Sequence, residues 1–315
     1  MRSFPRLTGL VAASHSPFHQ DGSLNLDVIS AQAEGLLSND VTCAFVCGTT
    51  GESTSLTLNE RLAITQRWAE VTRKSSLDVI AHVGANCLQD AIDLAAAAGK
   101  AGVQGCAALA PSYFKPATIE DLTEFLIPIA AAAPEIPFYF YDIPTMTNVT
   151  LPMVRFLEYA GPRIPNLAGL KYTNGDAIQM QECLRLQEGR FEILHGFDET
   201  LLSGLALGAR GAVGSSYNFA APIYHRVIAA FERGDFETAR REQAESVRLI
   251  RLLCRFGYLS AAKVVMELLG VPVGPSRSPL RPLNHDERAS LESALHAENF
   301  WEQIQPERLL ASRSA

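Results

Sequence analysis

Apolar runs typical of β-strands recur along the whole first two thirds of the chain. There are eight: Leu7–Ala13, Val41–Cys47, Val79–Val83, Gln104–Leu109, Pro137–Tyr141, Leu167–Lys171, Phe191–His195 and Gly211–Gly214. Most are continuous rather than alternating, as expected of parallel strands that are covered on both faces. Their ends are spaced by roughly 20–36 residues, which fits one strand and one helix in each unit.

Helical patterns lie between these runs. Thr57 and Glu60 have the spacing of a capping box, which predicts a helix from there through about Thr72. Ile119, Leu122 and Phe125 recur on one helical face after Thr118, a residue of the type that caps helices. Other helices are predicted over Leu88–Ala98 with a stop at Gly99, from Pro152 in a first turn, over Asp176–Leu186, and over Glu199–Leu207 with a stop at Gly208.

This alternation favours an α/β fold, a (β/α)₈ TIM barrel. An open, doubly wound sheet is the alternative, but the chain has no glycine-rich phosphate loop to support it. After about residue 220 the strand patterns stop. Helical segments follow at Ile223–Arg233, Phe236–Phe256, Ser260–Leu269 and about Asp286–Ile304, with a Pro/Gly-rich stretch at 271–282. We therefore expect a catalytic barrel over residues 1–220 and a C-terminal helical extension over 221–315, packed on the barrel.

Composition and charge argue against several classes of protein. The chain has 315 residues, 47% of them hydrophobic, and a net charge of −7, which argues against non-specific binding to nucleic acid. The N-terminus lacks the apolar core of a signal peptide, and no aliphatic stretch is long enough to span a bilayer. The six cysteines form no C-x-x-C pair, and Cys43 and Cys47 are expected to be buried thiols. These features predict a cytoplasmic protein with no membrane or nucleic-acid partner.

Lys171 ends the sixth apolar run and is the most informative residue. A strand can place such an amino group in a dry pocket, where desolvation favours the neutral amine. A neutral amine attacks a ketone to form a Schiff base. Only five of the 27 basic residues are lysines, so one at a strand end is a sharp signal. The run alone leaves open that Lys171 extends to solvent instead.

Polar residues follow several other predicted strands, where barrel enzymes have their active sites. The segments are Gly48-Thr49-Thr50-Gly51-Glu52, Pro111-Ser112-Tyr113-Phe114, Tyr141-Asp142-Ile143-Pro144, Gly196-Phe197-Asp198-Glu199 and Gly214-Ser215-Ser216. The first can form a turn that holds a carboxylate. Asp198 and Glu199 can bind hydroxyls or can cap the next helix. An amine, a phenol, a carboxylate-binding turn and acids at one barrel mouth suit an enzyme that makes or breaks a carbon–carbon bond beside a 2-oxo acid.

The order G-T-T-G-E, Y-x-I-P and G-L-K resembles the dihydrodipicolinate synthase and N-acetylneuraminate lyase superfamily of class I aldolases. The resemblance covers roughly residues 6–283 and includes Gly9–Ala13 and Gly274–Leu280. It implies a TIM barrel that forms an imine on Lys171. It also implies no metal and no organic cofactor, because the protonated imine is itself the electron sink.

Within the superfamily, the resemblance favours the sialic acid lyases. Dihydrodipicolinate synthases carry an arginine shortly after the tyrosine motif, and Tyr141–Thr147 has none. Gly196–Glu199 and Gly214–Asn218 are similar to the lyase motifs. The implied reaction is reversible cleavage of N-acetylneuraminate to N-acetylmannosamine and pyruvate. The alternatives are an aldolase or dehydratase acting on another 2-keto-3-deoxy sugar acid, dihydrodipicolinate synthesis, and a catalytically inactive sugar-acid-binding protein on the same barrel.

The resemblance also implies roles for single residues. Lys171 forms the imine and Tyr141 shuttles a proton, while Thr49 and Thr50 hold the pyruvate carboxylate and Thr49 positions Tyr141. Tyr113 resembles a tyrosine that crosses into a neighbouring subunit's site, which implies a homotetramer. The sugar would be bound by the remaining motif residues, Thr173, Gly196, Asp198, Glu199, Gly214 and Ser215.

Three other residues need an interpretation. Asp142 stands where asparagine is common in the superfamily, and its role is left open. His15 stands where a small or hydroxyl residue is usual, and we expect it to be a loop residue. Lys263 lies in a helical pattern of the extension, and we expect it to form a structural salt bridge rather than an imine.

Overall fold

The computed structural model describes residues 4–304, so the predictions for residues 1–3 and 305–315 lie outside the described residues. In the described chain, eight parallel strands close into a barrel in sequence order, with β1 paired to β8. This confirms the predicted TIM barrel. The strands are β1 Gly9–Ala13, β2 Cys43–Val46, β3 Asp78–His82, β4 Gly105–Leu109, β5 Phe138–Asp142, β6 Leu167–Tyr172, β7 Glu192–His195 and β8 Gly211–Gly214.

The helices surround the barrel and continue beyond it. They are α1 Val28–Ser38, α2 Leu58–Thr72, α3 Leu88–Ala101, α4 Ile119–Ala131, α5 Pro144–Thr147, α6 Met153–Ala160, α7 Ala177–Arg185, α8 Leu201–Leu207, α9 Tyr217–Glu232, α10 Phe236–Cys254, α11 Tyr258–Leu268, α12 His285–Ala297 and α13 Phe300–Ile304. Short 3₁₀ turns occur at Ser53–Ser55, Leu186–Glu188 and Asp198–Thr200. No helix in the described part of the chain is long and apolar enough to cross a membrane.

Several helix boundaries follow the predicted local signals. Thr57 and Glu60 form the predicted capping box at the start of α2. Gly208 ends α8 in a left-handed conformation, as predicted. The predicted stop at Gly99 is wrong, since α3 continues to Ala101 and ends at Gly102, which has φ +81°.

Other differences concern whole elements. Helix α1 was not predicted. Helix α9 begins at Tyr217 instead of Ile223, so it crosses the proposed boundary at residue 220. The segment predicted from Asp286 to Ile304 is two helices, α12 and α13, separated at Asn299, which has positive φ.

The core has two layers. One cluster fills the barrel interior and includes Phe45, Tyr139 and Tyr141. The larger cluster lies between the strands and the helices and includes Phe140 and Phe156. Alternate residues of β5 therefore face opposite sides of the sheet. Cys43 and Cys47 are buried free thiols, as expected.

Candidate functional site

Lys171 lies inside the barrel near the C-terminal end of β6, and its residue is 4% exposed. Its Nζ is 3.9 Å from the ring centroid of Tyr141 and 4.0 Å from that of Phe45. The two rings meet edge to face at 5.8 Å. The aromatic faces hold the amino group away from bulk solvent, so the structure excludes the alternative in which Lys171 extends into water. Phe45 was missed because a continuous apolar run does not show which of its residues face the interior.

Tyr141 is 3% exposed and shares a hydrogen bond with Thr49, with 3.3 Å between the hydroxyl oxygens. The ring of His82 packs edge-on against Tyr141, with 5.9 Å between centroids. The Nδ1 atom of His82 is 3.0 Å from the Cys47 carbonyl oxygen. Burial, and then the charges of Arg61 and Lys171, lowers the pKa of His82 well below its usual value. His82 is thus a neutral ring behind Tyr141, and its place at the end of an apolar strand was the signal that could have found it.

The turn after β2 holds Thr49 and Thr50 at the barrel mouth. Its backbone is closed by hydrogen bonds from Glu52 N–H to the Thr49 carbonyl, 3.0 Å, and from Ser53 N–H to the Gly48 carbonyl, 3.2 Å. Gly48 is required because a Cβ there would lie 2.7 Å from the Phe45 ring. The predicted turn is therefore packed directly on the aromatic residue that contacts Lys171.

Glu52 fastens this turn to the C-terminal extension. It adopts a left-handed conformation with φ +54°. Its Oε1 is 2.7 Å from Lys263 Nζ, and both side chains are fully enclosed. Its Oε2 accepts from the Arg277 N–H at 2.8 Å. Lys263 also donates to the carbonyl oxygens of Ser16 and Pro275 at 3.0 Å. The predicted structural salt bridge of Lys263 is confirmed.

Asp198 is buried, and its carboxyl group accepts hydrogen bonds from Ser216. Its Oδ2 accepts from the N–H of Ser216 at 2.7 Å and from the Ser216 hydroxyl at 2.5 Å. That hydroxyl also lies 2.6 Å from the Tyr224 hydroxyl. Burial raises the pKa of Asp198 to about 6 despite these hydrogen bonds. A Cβ at Gly214 would lie 2.3 Å from Asp198 Oδ1, so the glycine makes room for the carboxyl group.

The other predicted sugar-binding residues lie at the ends of β6, β7 and β8. Thr173 is 8% exposed, and its hydroxyl is 3.5 Å from the Gly196 carbonyl oxygen. Glu199 follows Asp198 and is partly exposed. The Ser215 hydroxyl is paired with that of Tyr258, 2.7 Å away, on α11 of the extension. Tyr258 was missed, since nothing near it in the sequence points to the barrel mouth.

Tyr113 differs from the other candidates because it lies on the surface. It is 77% exposed, its neighbour Phe114 is 85% exposed, and their rings meet edge to face at 5.0 Å. The Asn86 side-chain oxygen accepts from the N–H groups of Ser112 and Tyr113 and fixes this loop. The chain alone does not bring Tyr113 to Lys171.

Two residues of open role lie outside the aromatic pocket. Asp142 follows Tyr141 on β5, so it faces the outer layer, where it accepts from Asn174 Nδ2 at 3.0 Å. Burial raises its pKa to about 6. His15 lies in the loop after β1, as expected, but it is 1% exposed, and its ring nitrogens have no hydrogen-bond partner among residues 4–304. Burial, and then the charge of Lys263, lowers the pKa of His15 to about 3.

A cavity of about 300 Å³ adjoins the Thr49–Tyr141 pair. Its lining includes Thr49, His82 and Asn86 from the barrel and Leu259 from α11. In the described residues, no group of three or more His, Cys, Asp or Glu side chains is arranged to hold a metal ion. The cavity thus lies beside the turn that carries Thr49, and its lining residues do not include Lys171 or Tyr141.

Comparison with known proteins places this geometry in a family. Residues 6–298 match the dihydrodipicolinate synthetase family. The chain belongs to that family. It is 37% identical to the N-acetylneuraminate lyase of Rattus norvegicus over 95% of each sequence. The structure of Proteus mirabilis N-acetylneuraminate lyase is similar, with a TM-score of 0.91 and 39% identity over 94% of this chain and 100% of that one. A dihydrodipicolinate synthase from Bacillus anthracis has a TM-score of 0.85 and 29% identity, over 94% and 99%.

Proposed function

We propose that the protein is an N-acetylneuraminate lyase, a class I aldolase that reversibly cleaves the sugar acid to N-acetylmannosamine and pyruvate. The observation that carries the proposal is the enclosed Lys171 amino group between Phe45 and Tyr141, with the Tyr141 hydroxyl paired to Thr49. Identity to named N-acetylneuraminate lyases at 37–39% supports it over dihydrodipicolinate synthesis, where identity is 29%. The missing arginine after Tyr141 supports the same choice.

The reaction begins at Lys171. Its amine attacks C2 of the 2-oxo acid and, with loss of water, forms an imine. The Tyr141 hydroxyl then takes the proton of the C4 hydroxyl while it passes its own proton to the substrate carboxylate, and Thr49 positions the phenol. As the C3–C4 bond breaks, its electron pair enters the protonated imine and gives an enamine, while C4 leaves as the aldehyde carbon. Protonation at C3 and hydrolysis release pyruvate and regenerate Lys171.

The remaining residues bind and orient the substrate. The hydroxyls of Thr49 and Thr50 hold the carboxylate of the 2-oxo acid. The sugar would be bound by residues at the ends of β6, β7 and β8, which are Thr173, Gly196, Asp198, Glu199, Gly214 and Ser215. Asp198 also fixes the loop after β8 through Ser216. The exposed Tyr113 would enter a neighbouring subunit's site in a homotetramer. The imine carries the reaction, so no metal or cofactor is assigned a role.

Borohydride trapping tests this proposal. The protein is incubated with N-acetylneuraminate and borohydride, and the adduct is located by intact mass and peptide mapping. A reduced pyruvate adduct on Lys171 would show that the sugar was bound, cleaved and trapped. Lys171→Arg should remove the adduct, whereas Lys74→Ala, at an exposed lysine, should keep it.

Two outcomes would redirect the assignment. Trapping of added pyruvate without any adduct from N-acetylneuraminate would keep the aldolase mechanism and move the substrate to another 2-keto-3-deoxy sugar acid. Consumption of aspartate semialdehyde with pyruvate would favour dihydrodipicolinate synthesis. Ligand binding without turnover, unchanged in Lys171→Arg, would refute the enzyme assignment.

A further inference from the structure

Tyr258 lies outside the motifs that define the candidate site, yet its hydroxyl reaches the barrel mouth. It is the first residue of α11, after Gly257, which has φ +79°. Its hydroxyl oxygen is 2.7 Å from that of Ser215, one residue beyond the end of β8. The next residue, Leu259, lines the cavity that also contacts Thr49 and His82. Two consecutive residues of α11 are thus placed at the candidate site.

The groups around Tyr258 are suited to hydrogen bonding with the hydroxyls of a ligand. Burial, and then the Asp198 charge, raises the pKa of Tyr258 well above its usual value, so the phenol keeps its proton at neutral pH. In a pair of neutral hydroxyls one donates to the other, which leaves one O–H donor and several acceptor lone pairs for a ligand. Glu199 contributes a second charge near the phenol. A polyol offers the matching mixture of donors and acceptors.

Asp198 is less suited to this task than its sequence position suggests. Its Oδ2 already accepts two hydrogen bonds from Ser216, and Ser216 is in turn bound to Tyr224. Asp198 therefore also positions the loop after β8. Further groups for hydroxyl recognition lie beside it, and these are Ser215, Tyr258 and Glu199.

From this arrangement we infer that Tyr258 is a specificity-determining residue, whose hydroxyl and that of Ser215 act as a pair on the polyol tail of the sugar acid. The inference rests on the proposed aldolase function. It adds that the C-terminal extension selects substrates by chain length and hydroxylation, far from the carbon atoms that react. Since Lys171 and Tyr141 are untouched, the imine chemistry is expected to be independent of Tyr258.

The test compares Tyr258→Phe, Ser215→Ala and the double variant on two substrates. One is N-acetylneuraminate, and the other is a 2-keto-3-deoxy sugar acid that ends before the tail. Tyr159→Phe, on α6, is the matched control. Tyr258→Phe should lower kcat/KM for the long substrate by about two- to tenfold, the factor of one neutral hydrogen bond. It should leave kcat/KM for the short substrate and the rate of pyruvate trapping unchanged.

The double variant distinguishes a role of the hydroxyl pair in substrate selection from a purely structural role. If the hydroxyls act as a pair, the double variant should lose no more on the long substrate than Ser215→Ala alone. Equal losses on both substrates, no loss on either, or fully additive losses would overturn the inference. Failure of the proposed function is seen separately, because wild-type protein would then release no pyruvate from N-acetylneuraminate, whereas failure of the inference alone leaves wild-type cleavage intact and removes only the difference between the two substrates.

Discussion

Replacing Lys263 by methionine should destabilise the protein strongly, although Lys263 takes no part in the proposed chemistry. Its ammonium lies 2.7 Å from Glu52 Oε1, with side-chain exposures of 2% and 0%. The methionine side chain would have a similar length but no charge. The Glu52 carboxylate would remain buried without its ion-pair partner, although it would still accept from the Arg277 N–H at 2.8 Å. Two carbonyl oxygens, of Ser16 and Pro275, would also lose their donor.

The magnitude follows from the burial of the pair. Breaking a buried ion pair by removing one partner costs about 3–5 kcal/mol, because the other charge is left uncompensated. With an unfolding entropy of about 2.1 cal/mol/K per residue, a chain of 315 residues should show a fall in Tm of about 5–8 °C. The exposed Lys74→Met is the control and should change Tm by less than about 1 °C.

The assay is a double-mutant cycle with Glu52→Gln, followed by thermal and urea unfolding. Glu52→Gln/Lys263→Met removes both charges, so its loss of stability should be smaller than the sum of the single losses by at least about 2 kcal/mol. The KM for pyruvate in the trapping reaction should rise in the single variants, because Glu52 closes the turn that holds Thr49 and Thr50. Strictly additive losses, or a Lys263→Met protein as stable as the control, would refute the reasoning.

Three further predictions concern other parts of the molecule. Gly214→Ala should displace Asp198, since the new Cβ would lie 2.3 Å from Oδ1; we expect a loss of about 1–3 kcal/mol in urea unfolding and reduced sugar cleavage with pyruvate trapping retained. Asp142→Asn should alter the pH dependence of the free energy of unfolding, because burial raises the pKa of Asp142 from 3.8 to about 6. The wild type should lose about 3 kcal/mol of stability relative to the variant as pH rises from below 3.8 through 6. An equal difference in stability between wild type and variant at pH 4 and pH 7.5 would contradict this. Thr57→Ala removes the acceptor for the Glu60 N–H in the capping box of α2 and should cost about 1 kcal/mol by thermal unfolding, whereas an unchanged Tm would show that the cap is dispensable.

The barrel was predictable because its signals are local. Each strand is a short apolar run, and helices such as α2 carry their own cap. Helix α1 lacks such signals: Asp27 makes no side-chain cap hydrogen bond, and the helix is held by buried residues such as Ile29 and Leu36. The helix end was wrongly placed at Gly99, which instead allows close packing, since a Cβ there would lie 3.2 Å from Ala133. The helix ends at Gly102, where the backbone has a positive φ.

The residues of the candidate site were predictable where they lie at the end of an apolar strand. Lys171 and Tyr141 were found in this way, and β5 and β6 pair them directly in the sheet. The direction of a side chain was harder to predict, because one step along β5 separates Tyr141 in the interior from Asp142 in the outer layer. Phe45 was missed for the same reason, whereas His82 was missed although its place at the end of an apolar strand was a usable signal. No local pattern reveals that they surround the tyrosine and the lysine.

The C-terminal extension contributes more to the site than its helical pattern indicates. Tyr258 meets Ser215 after β8, and Lys263 meets Glu52 after β2. Arg277 forms a two-pronged contact with Glu60 at 2.5 and 2.9 Å. These contacts join residues 43 to 217 positions apart, so no window of sequence contains both partners. A turn that adopts a left-handed conformation at a non-glycine residue needs such external support. We therefore propose that the extension is part of the barrel mouth, and that a division at residue 220 separates two sequence patterns rather than two independent functions.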